Sequence, residues 1–161
     1  MIRTAVVTVS DKGSQGIRDD KSGPVIIEML EQFNAVKKYY TIIPDEIVEI
    51  KNELIRLSDK DDIDLILTTG GTGFAPRDIT PEATLAIMDK NAPGIAELMR
   101  NETVSITKKA ALSRAMSVIR NDTLIINLPG SPKAVRECLE AIKDIIPHGI
   151  EILNEEVTEH N

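Results

Sequence analysis

The run Ile63-Asp64-Leu65-Ile66-Leu67 feeds directly into Thr68-Thr69-Gly70-Gly71-Thr72-Gly73, and Phe74-Ala75-Pro76-Arg77-Asp78-Ile79-Thr80-Pro81-Glu82-Ala83 follows. The apolar run predicts a buried strand. The glycines after it remove Cβ atoms, permit φ > 0 and let the backbone approach a ligand closely. Thr80 is the expected N-cap of a helix, with Pro81 at its first position and the acidic Glu82 in its first turn. A loop at the carboxyl end of a strand, with unused N–H groups, is where an α/β sheet can hold phosphate. A glycine pair alone would mark only a turn. The flanking threonines and the Arg77-Asp78 pair point to an anion cradle.

The rest of the chain repeats this alternation. Residues 2–10 read as a strand, 10–24 as a long polar loop, and 25–33 as a helix that Ser22 could cap. Residues 36–43 read as a strand that ends at Pro44-Asp45-Glu46, with Asp45 placed to cap the helix over 47–57. Helices follow over 80–89 and 95–105. Residues 116–119 and 123–128 form two strands around the turn Asn121-Asp122. The second strand runs into Pro129-Gly130-Ser131-Pro132-Lys133, and a last helix carries Val135, Leu139, Ile142 and Ile146, with Pro147 interrupting it. This pattern predicts one domain over residues 1–161. It is a three-layer α/β/α sandwich whose sheet is mostly parallel with one antiparallel edge strand. The acidic end, Glu155 to Asn161, is expected to fray. If the sheet is parallel, the loops after residues 10, 68 and 128 share one side with Asp45, the side where open α/β sheets bind ligands.

Composition narrows the ligand. Formal net charge is −7, and the only aromatics are Phe33, Tyr39, Tyr40 and Phe74. Neither a basic surface nor a base-stacking platform is available, so nucleic acid is not an expected partner. No apolar run approaches the ~20 residues of a membrane span. Cys138 is the only cysteine, so an internal disulfide and a cysteine metal cage are both excluded. It falls in the last amphipathic helix and reads as core. These features favour the cytoplasm.

An acidic chain must bind phosphate locally. Arg77 and Lys133 are candidates to stabilise charge on phosphate oxygens, or are plain surface charges. Asp78 follows the glycine loop closely, and a carboxylate there can hold Mg²⁺, whose shell phosphate oxygens and water complete. The residues alone leave Asp45 open between a helix cap and a site carboxylate. Walker A, Gly-x-Gly-x-x-Gly and Gly-x-Ser-x-Gly patterns are all absent. His148 and His160 lie far from these loops in sequence.

Ser10-Asp11-Lys12, Gly23-Pro24, Pro44-Asp45-Glu46, the Thr68–Gly73 block, Arg77-Asp78-Ile79-Thr80-Pro81-Glu82-Ala83, Leu112-Ser113-Arg114 and Asn127–Lys133 together resemble the molybdopterin-binding family of molybdenum cofactor biosynthesis proteins. The likeness is to the MogA/MoaB type and to the gephyrin G domain, and spans residues 2 to about 153. It implies a homo-oligomer, trimer or hexamer, that transfers AMP from Mg-ATP to the molybdopterin phosphate and releases pyrophosphate. A molybdenum insertase would be a further partner. By the same resemblance Asp45 and Asp78 are expected to be catalytic, and on chemical grounds these two carboxylates are the expected Mg²⁺ ligands. Ser10, Asp11, Thr69, Gly70, Gly71, Thr72, Gly73, Arg77, Pro129, Gly130, Ser131 and Lys133 are the residues expected to bind the nucleotide and pterin phosphates. A molybdopterin carrier without turnover, and a nucleotide pyrophosphatase of related fold, are the alternatives.

Overall fold

Strands β1 (Ile2–Val9), β3 (Leu65–Thr69) and β6 (Thr123–Leu128) are buried at every position but Arg3, as strands covered on both faces must be. The computed structural model describes residues 1–60 and 62–155, apart from the side chain of Lys60. The fraying expected of the C-terminal tail lies, from residue 156 on, outside the described residues. With β2 (Ala35–Ile43), β4 (Lys90–Asn91) and β5 (Ser117–Arg120), these strands form one sheet in the order β2-β1-β3-β6-β5-β4. The pairs β1–β2, β1–β3 and β3–β6 are parallel, while β5 is antiparallel to both β6 and β4. The expected hairpin is present, turning at Asn121 with φ 49°. Its antiparallel strand is not outermost, because the two-residue β4 pairs beyond it.

Helices cover both faces, giving the three layers expected. On one side α2 (Ser22–Met29), α5 (Pro93–Thr103), α6 (Pro132–Ile142) and α7 (Ile146–Leu153) lay Ile26, Met29, Met99, Leu139, Ile142 and Ile146 on Val6, Leu65, Leu67 and Ile126. On the other, α3 (Ile47–Lys60) and α4 (Thr80–Ile87) lay Ile50, Leu54, Leu57 and Ile87 on Val7, Ile66, Val118 and Ile125. The alternation Leu65/Ile66/Leu67 and Leu124/Ile125/Ile126 sends neighbouring side chains to opposite layers. Pro147 stands in the first turn of α7 and therefore starts a helix, where an interruption was expected. A four-residue helix, α1 (Asp11–Ser14), occupies part of the segment that reads as loop, and a 3₁₀ turn spans Lys108–Leu112. No helix among the described residues is long and apolar enough to cross a membrane.

Register brings the carboxyl ends of four parallel strands level: Val9 lies beside Ile43, Thr8 beside Thr69, and Thr69 beside Leu128. Gly70 makes this possible. Its φ is +98°, its N–H donates to Leu128 O at 3.2 Å, and a Cβ there would collide with the Val9 carbonyl oxygen. Beneath it, fully buried Asn127 donates to the hydroxyls of Thr68 and Thr84 at 3.0 Å each and accepts from Met116 N at 3.1 Å. One amide thus joins β6, β3, α4 and the entry to β5.

Gly70→Ala combines a left-handed backbone, costing on the order of 1–3 kcal/mol, with a clash against the neighbouring strand. Its melting temperature is expected to fall by more than about 4 °C, since 1 kcal/mol is worth roughly 2–4 °C at this size. Asn127→Leu keeps the volume but leaves the Met116 N–H and two hydroxyls without their partner. It is expected to cost about 2–4 kcal/mol in denaturant unfolding. A melting temperature unchanged in either variant contradicts this account of the strand ends.

Candidate functional site

At the level strand ends, Asp11 and Asp45 hold each other reciprocally. Asp11 N donates to Asp45 Oδ2 at 2.9 Å, and Asp45 N donates to Asp11 Oδ1 at 3.0 Å. Ser10 turns the chain there: its hydroxyl accepts from Gly13 N at 3.0 Å and caps α1. Arg77 then clamps the pair. Its guanidinium reaches Asp11 Oδ2 at 2.6 Å, Asp11 Oδ1 at 3.1 Å, the Asp45 carbonyl at 3.0 Å and Glu46 Oε1 at 2.8 Å. Arg77 therefore ties the ends of β1 and β2 to the glycine loop, and in this state its donors face protein acceptors. The expected capping of α3 by Asp45 does not occur, because the carboxylate is engaged by Asp11.

The glycine loop rises between these ends and α4. The N–H groups of Gly71, Thr72 and Gly73 donate to no acceptor among the described residues. Gly71, at φ +69°, sits so close to Asp45 that a Cβ would stand 3.2 Å from Asp45 Oδ1. A Cβ on Gly73 would stand 2.8 Å from Asp78 Oδ2. The glycines thus hold two carboxylates against the loop backbone. Asp78 is set by its own turn: Ala75 N donates to Asp78 Oδ2 at 3.0 Å, and Asp78 N to Ala75 O at 2.9 Å. Thr80 is not the N-cap. It is the first residue of α4, with Ile79 before it, and its hydroxyl donates to Gly70 O at 2.9 Å, stapling the loop to the helix.

Several residues expected to face phosphate do structural work. The buried Thr69 hydroxyl donates to Pro129 O at 2.6 Å. The Ser131 hydroxyl caps α6 by accepting from Ala134 N at 3.1 Å. Lys133 is not brought to the glycine loop. Its side chain is 84% exposed and its ammonium stands 3.9 Å from Glu137, one turn along α6. Ser22 does not cap α2 either, since it is already the first helical residue and its hydroxyl donates to Gly130 O at 2.6 Å. The capping is done by Asp20, which accepts from Ser22 N at 3.0 Å and Gly23 N at 3.1 Å. Its other oxygen accepts from Thr8 at 2.7 Å and from the Tyr40 hydroxyl.

Two cavities flank the loop and meet at Gly130. One, about 410 Å³, runs from Gly71–Gly73 and Asp78 between α5 and α6, walled by Met99, Ala115 and Cys138. The other, about 600 Å³, lies over Ser10, Arg18, Asp20 and Ser131. Sequence reasoning overlooked Asp20, Tyr40 and Arg114, a residue that bonds both ends of the glycine loop. Arg114 stood in a quoted motif without a role. Asp20 had no periodic or spacing signal.

Charge is unevenly balanced here. Arg77 holds Asp11 below the ordinary carboxylate range, helped by the Asp45 N–H. Burial raises Asp45 above that range, and the charges of Asp11 and Asp78 add to the rise. At Asp20 burial also pushes upward, but Tyr40, Thr8 and two backbone N–H groups outweigh it and the net shift is down. Burial, then Asp20, lifts Tyr40 to about 12. Burial lifts the Cys138 thiol to about 11, which makes it inert at neutral pH. No three His, Cys, Asp or Glu side chains among the described residues are arranged to enclose a metal ion. Asp45 and Asp78 are nevertheless the carboxylates that would suit Mg²⁺: the charge of Asp78 adds to the rise at Asp45, and each carboxylate stands against the glycine-loop backbone.

The sequence model of the family described as "Probable molybdopterin binding domain" matches residues 5–148. Among curated proteins, the molybdopterin adenylyltransferase of Helicobacter pylori strain 26695 is 46% identical over 94% of this chain and 88% of its own. That of Escherichia coli K12 is 42% identical over 92% and 80%. Among solved structures, the molybdopterin biosynthesis enzyme MoaB of Thermus thermophilus superposes with a TM-score of 0.92 at 46% identity, over 96% of this chain and 98% of that one. The tungsten cofactor synthesizing protein MoaB of Pyrococcus furiosus gives 0.86 at 37%, over 95% and 97%. With its fold, its level strand ends and these likenesses taken together, the chain belongs to the molybdopterin-binding domain family of molybdenum cofactor biosynthesis proteins.

Proposed function

We propose that the protein is a molybdopterin adenylyltransferase, moving AMP from Mg-ATP to the terminal phosphate of molybdopterin with release of pyrophosphate. The observation that carries this is the placing of Asp45 and Asp78, from different strand ends, against a glycine loop whose N–H groups at 71–73 are unused. The names of the relatives at 42–46% identity support the same reading.

An ionised oxygen of the pterin phosphate attacks the α-phosphorus of ATP. A new phosphoanhydride bond forms, the bond to the bridging oxygen breaks, and pyrophosphate leaves with its electron pair. The nucleophile is ionised at neutral pH, so no general base is required. The task is to bring several negative charges together. The N–H groups of Gly71, Thr72 and Gly73 bind and orient phosphate oxygens. Asp45 and Asp78 would hold Mg²⁺, which supplies charge neutralisation at the transferred phosphate. Arg77 keeps Asp11 and Asp45 fixed, and Ser10 and Thr69 set the loops around them. In the same reading the protein works in the cytoplasm as a homo-oligomer of three or six copies, and an insertase takes up the adenylylated pterin. The exposed Val104, Ile106 and Leu112 suit a subunit contact.

With Mg-ATP and molybdopterin together, wild-type protein is expected to release pyrophosphate, and with either alone it is not. Asp45→Asn and Asp78→Asn are each expected to slow release by about 100-fold or more, the scale of losing one group aimed at transition-state charge. Full rates in both variants contradict the proposal. Pterin binding without release would make the protein a carrier, and hydrolysis of a dinucleotide without pterin would make it a pyrophosphatase.

Asp45 also predicts a stability effect. Because its folded-state pKa lies above the unfolded value, folding takes up protons between the ordinary 3.8 and the raised value. Its contribution is favourable below that window and is lost as pH rises through it. Asp45→Asn is therefore expected to melt at higher temperature than wild type at pH 7, with the gap closing as pH falls towards 4. A variant that melts lower at pH 7 contradicts the electrostatic reading of this carboxylate.

A further inference from the structure

Arg114 lies in the segment that leads into β5, far in sequence from the glycine loop, yet it bonds to both ends of that loop. Its main-chain N–H donates to Thr72 O at 2.8 Å. Its guanidinium donates to Gly73 O at 2.8 Å and to Asp78 O at 2.7 Å, and pairs with Glu82 in the first turn of α4. Thr72 and Gly73 open the turn and Asp78 closes it, so one planar group fixes the span between them. The segment carrying Arg114 is itself held from outside. Arg100 on α5 donates to the carbonyls on either side, Ser113 O at 3.3 Å and Ala115 O at 2.8 Å. Ser113, Ala115, Arg100 and Asp78 all line the apolar cavity.

We infer that Arg114 is a positioning residue: it sets Asp78 and Gly73 against the transferred phosphate and ties that placement to the wall of the apolar cavity. The inference rests on the adenylyl-transfer reading above. Arg114 touches main-chain carbonyls and a surface carboxylate, and it acts on the reaction through Asp78. Its chemistry suits the task, because a rigid fork of donors serves two carbonyls and a carboxylate at fixed angles. A lysine at the same place keeps the charge and loses the fork. Placement errors of about 1 Å cost on the order of 100-fold in rate, so Arg114→Lys is expected to lower kcat while leaving substrate binding nearly intact.

The test uses the full chain in the pyrophosphate-release assay with Mg-ATP and molybdopterin, with rates expressed per folded molecule from a melting curve. Arg114→Lys is expected to lose about 10- to 100-fold in kcat, the scale of a displaced reacting group, with KM for ATP held within about threefold. Arg114→Ala is expected to lose more, and millimolar guanidinium ion is expected to restore its kcat at least severalfold. If Arg114→Ala does not fold, Arg114→Lys carries the test. A wild-type kcat in Arg114→Lys overturns the inference. So does a loss confined to KM, or a loss that vanishes once rates are corrected for the folded fraction. Wild-type protein runs alongside: if it releases no pyrophosphate, the adenylyl-transfer reading falls and this inference with it. If wild type turns over and Arg114→Lys matches it, this inference alone falls.

Discussion

The reciprocal bonds between Asp11 and Asp45, 2.9 and 3.0 Å from main-chain N–H to carboxylate, are the joint on which the site depends. They lock the ends of β1 and β2 together and leave two anionic groups side by side. Arg77 offsets one of them and holds Asp11 ionised. The other, Asp45, carries the cost of burial and of its neighbours Asp11 and Asp78, and its pKa rises. A carboxylate in that state is a ready partner for a cation, and the unused N–H groups of the glycine loop beside it are ready partners for phosphate. The site thus sets carboxylates and unused main-chain donors side by side at Gly71 and Gly73.

Most of the fold is legible in the sequence because its strands and helices alternate with clear periods. Buried strands such as Leu65–Thr69 and Thr123–Leu128 read as short apolar runs, and the helices over 47–57 and 135–142 show apolar faces. What escapes is set by tertiary contact. β4 is two residues long, has no apolar signal, and exists because β5 offers Lys90 and Asn91 an edge to pair with. Pro147 begins α7, since a proline reads equally as a stop or as a first-turn residue until the neighbouring helix is placed. Three expected caps were misassigned for one reason. Ser22, Asp45 and Thr80 have the right side chains, but each finds an acceptor or donor on a neighbouring strand end, namely Gly130, Asp11 and Gly70.

The site was legible in part. The glycine loop, Asp45 and Asp78 could be picked out because they punctuate strand ends in a parallel sheet, and the resemblance raised Asp45 above a simple cap. Sequence could not show that the Arg77 guanidinium faces Asp11, Asp45 and Glu46, since a basic residue near a phosphate loop invites a different expectation. Nor could it show that Lys133 projects along α6 towards Glu137. Arg114 was invisible for the opposite reason: its partners are carbonyl oxygens, which no side-chain pattern encodes. The same holds for Asp20, whose partners Thr8, Tyr40, Ser22 and Gly23 converge only when β1, β2 and α2 meet.

The central claim is that crowded carboxylates at the glycine loop are relieved when a cation and phosphates arrive together. The most direct measurement is the carboxyl titration of Asp45 by carbon NMR in protein labelled at aspartate, taken alone and then with Mg²⁺ and a non-hydrolysable ATP analogue. The account predicts that Asp45 titrates above the ordinary carboxylate range in the unliganded protein and falls below it when both are bound. An Asp45 that titrates normally without ligand, or that does not move when magnesium and nucleotide bind, would contradict it.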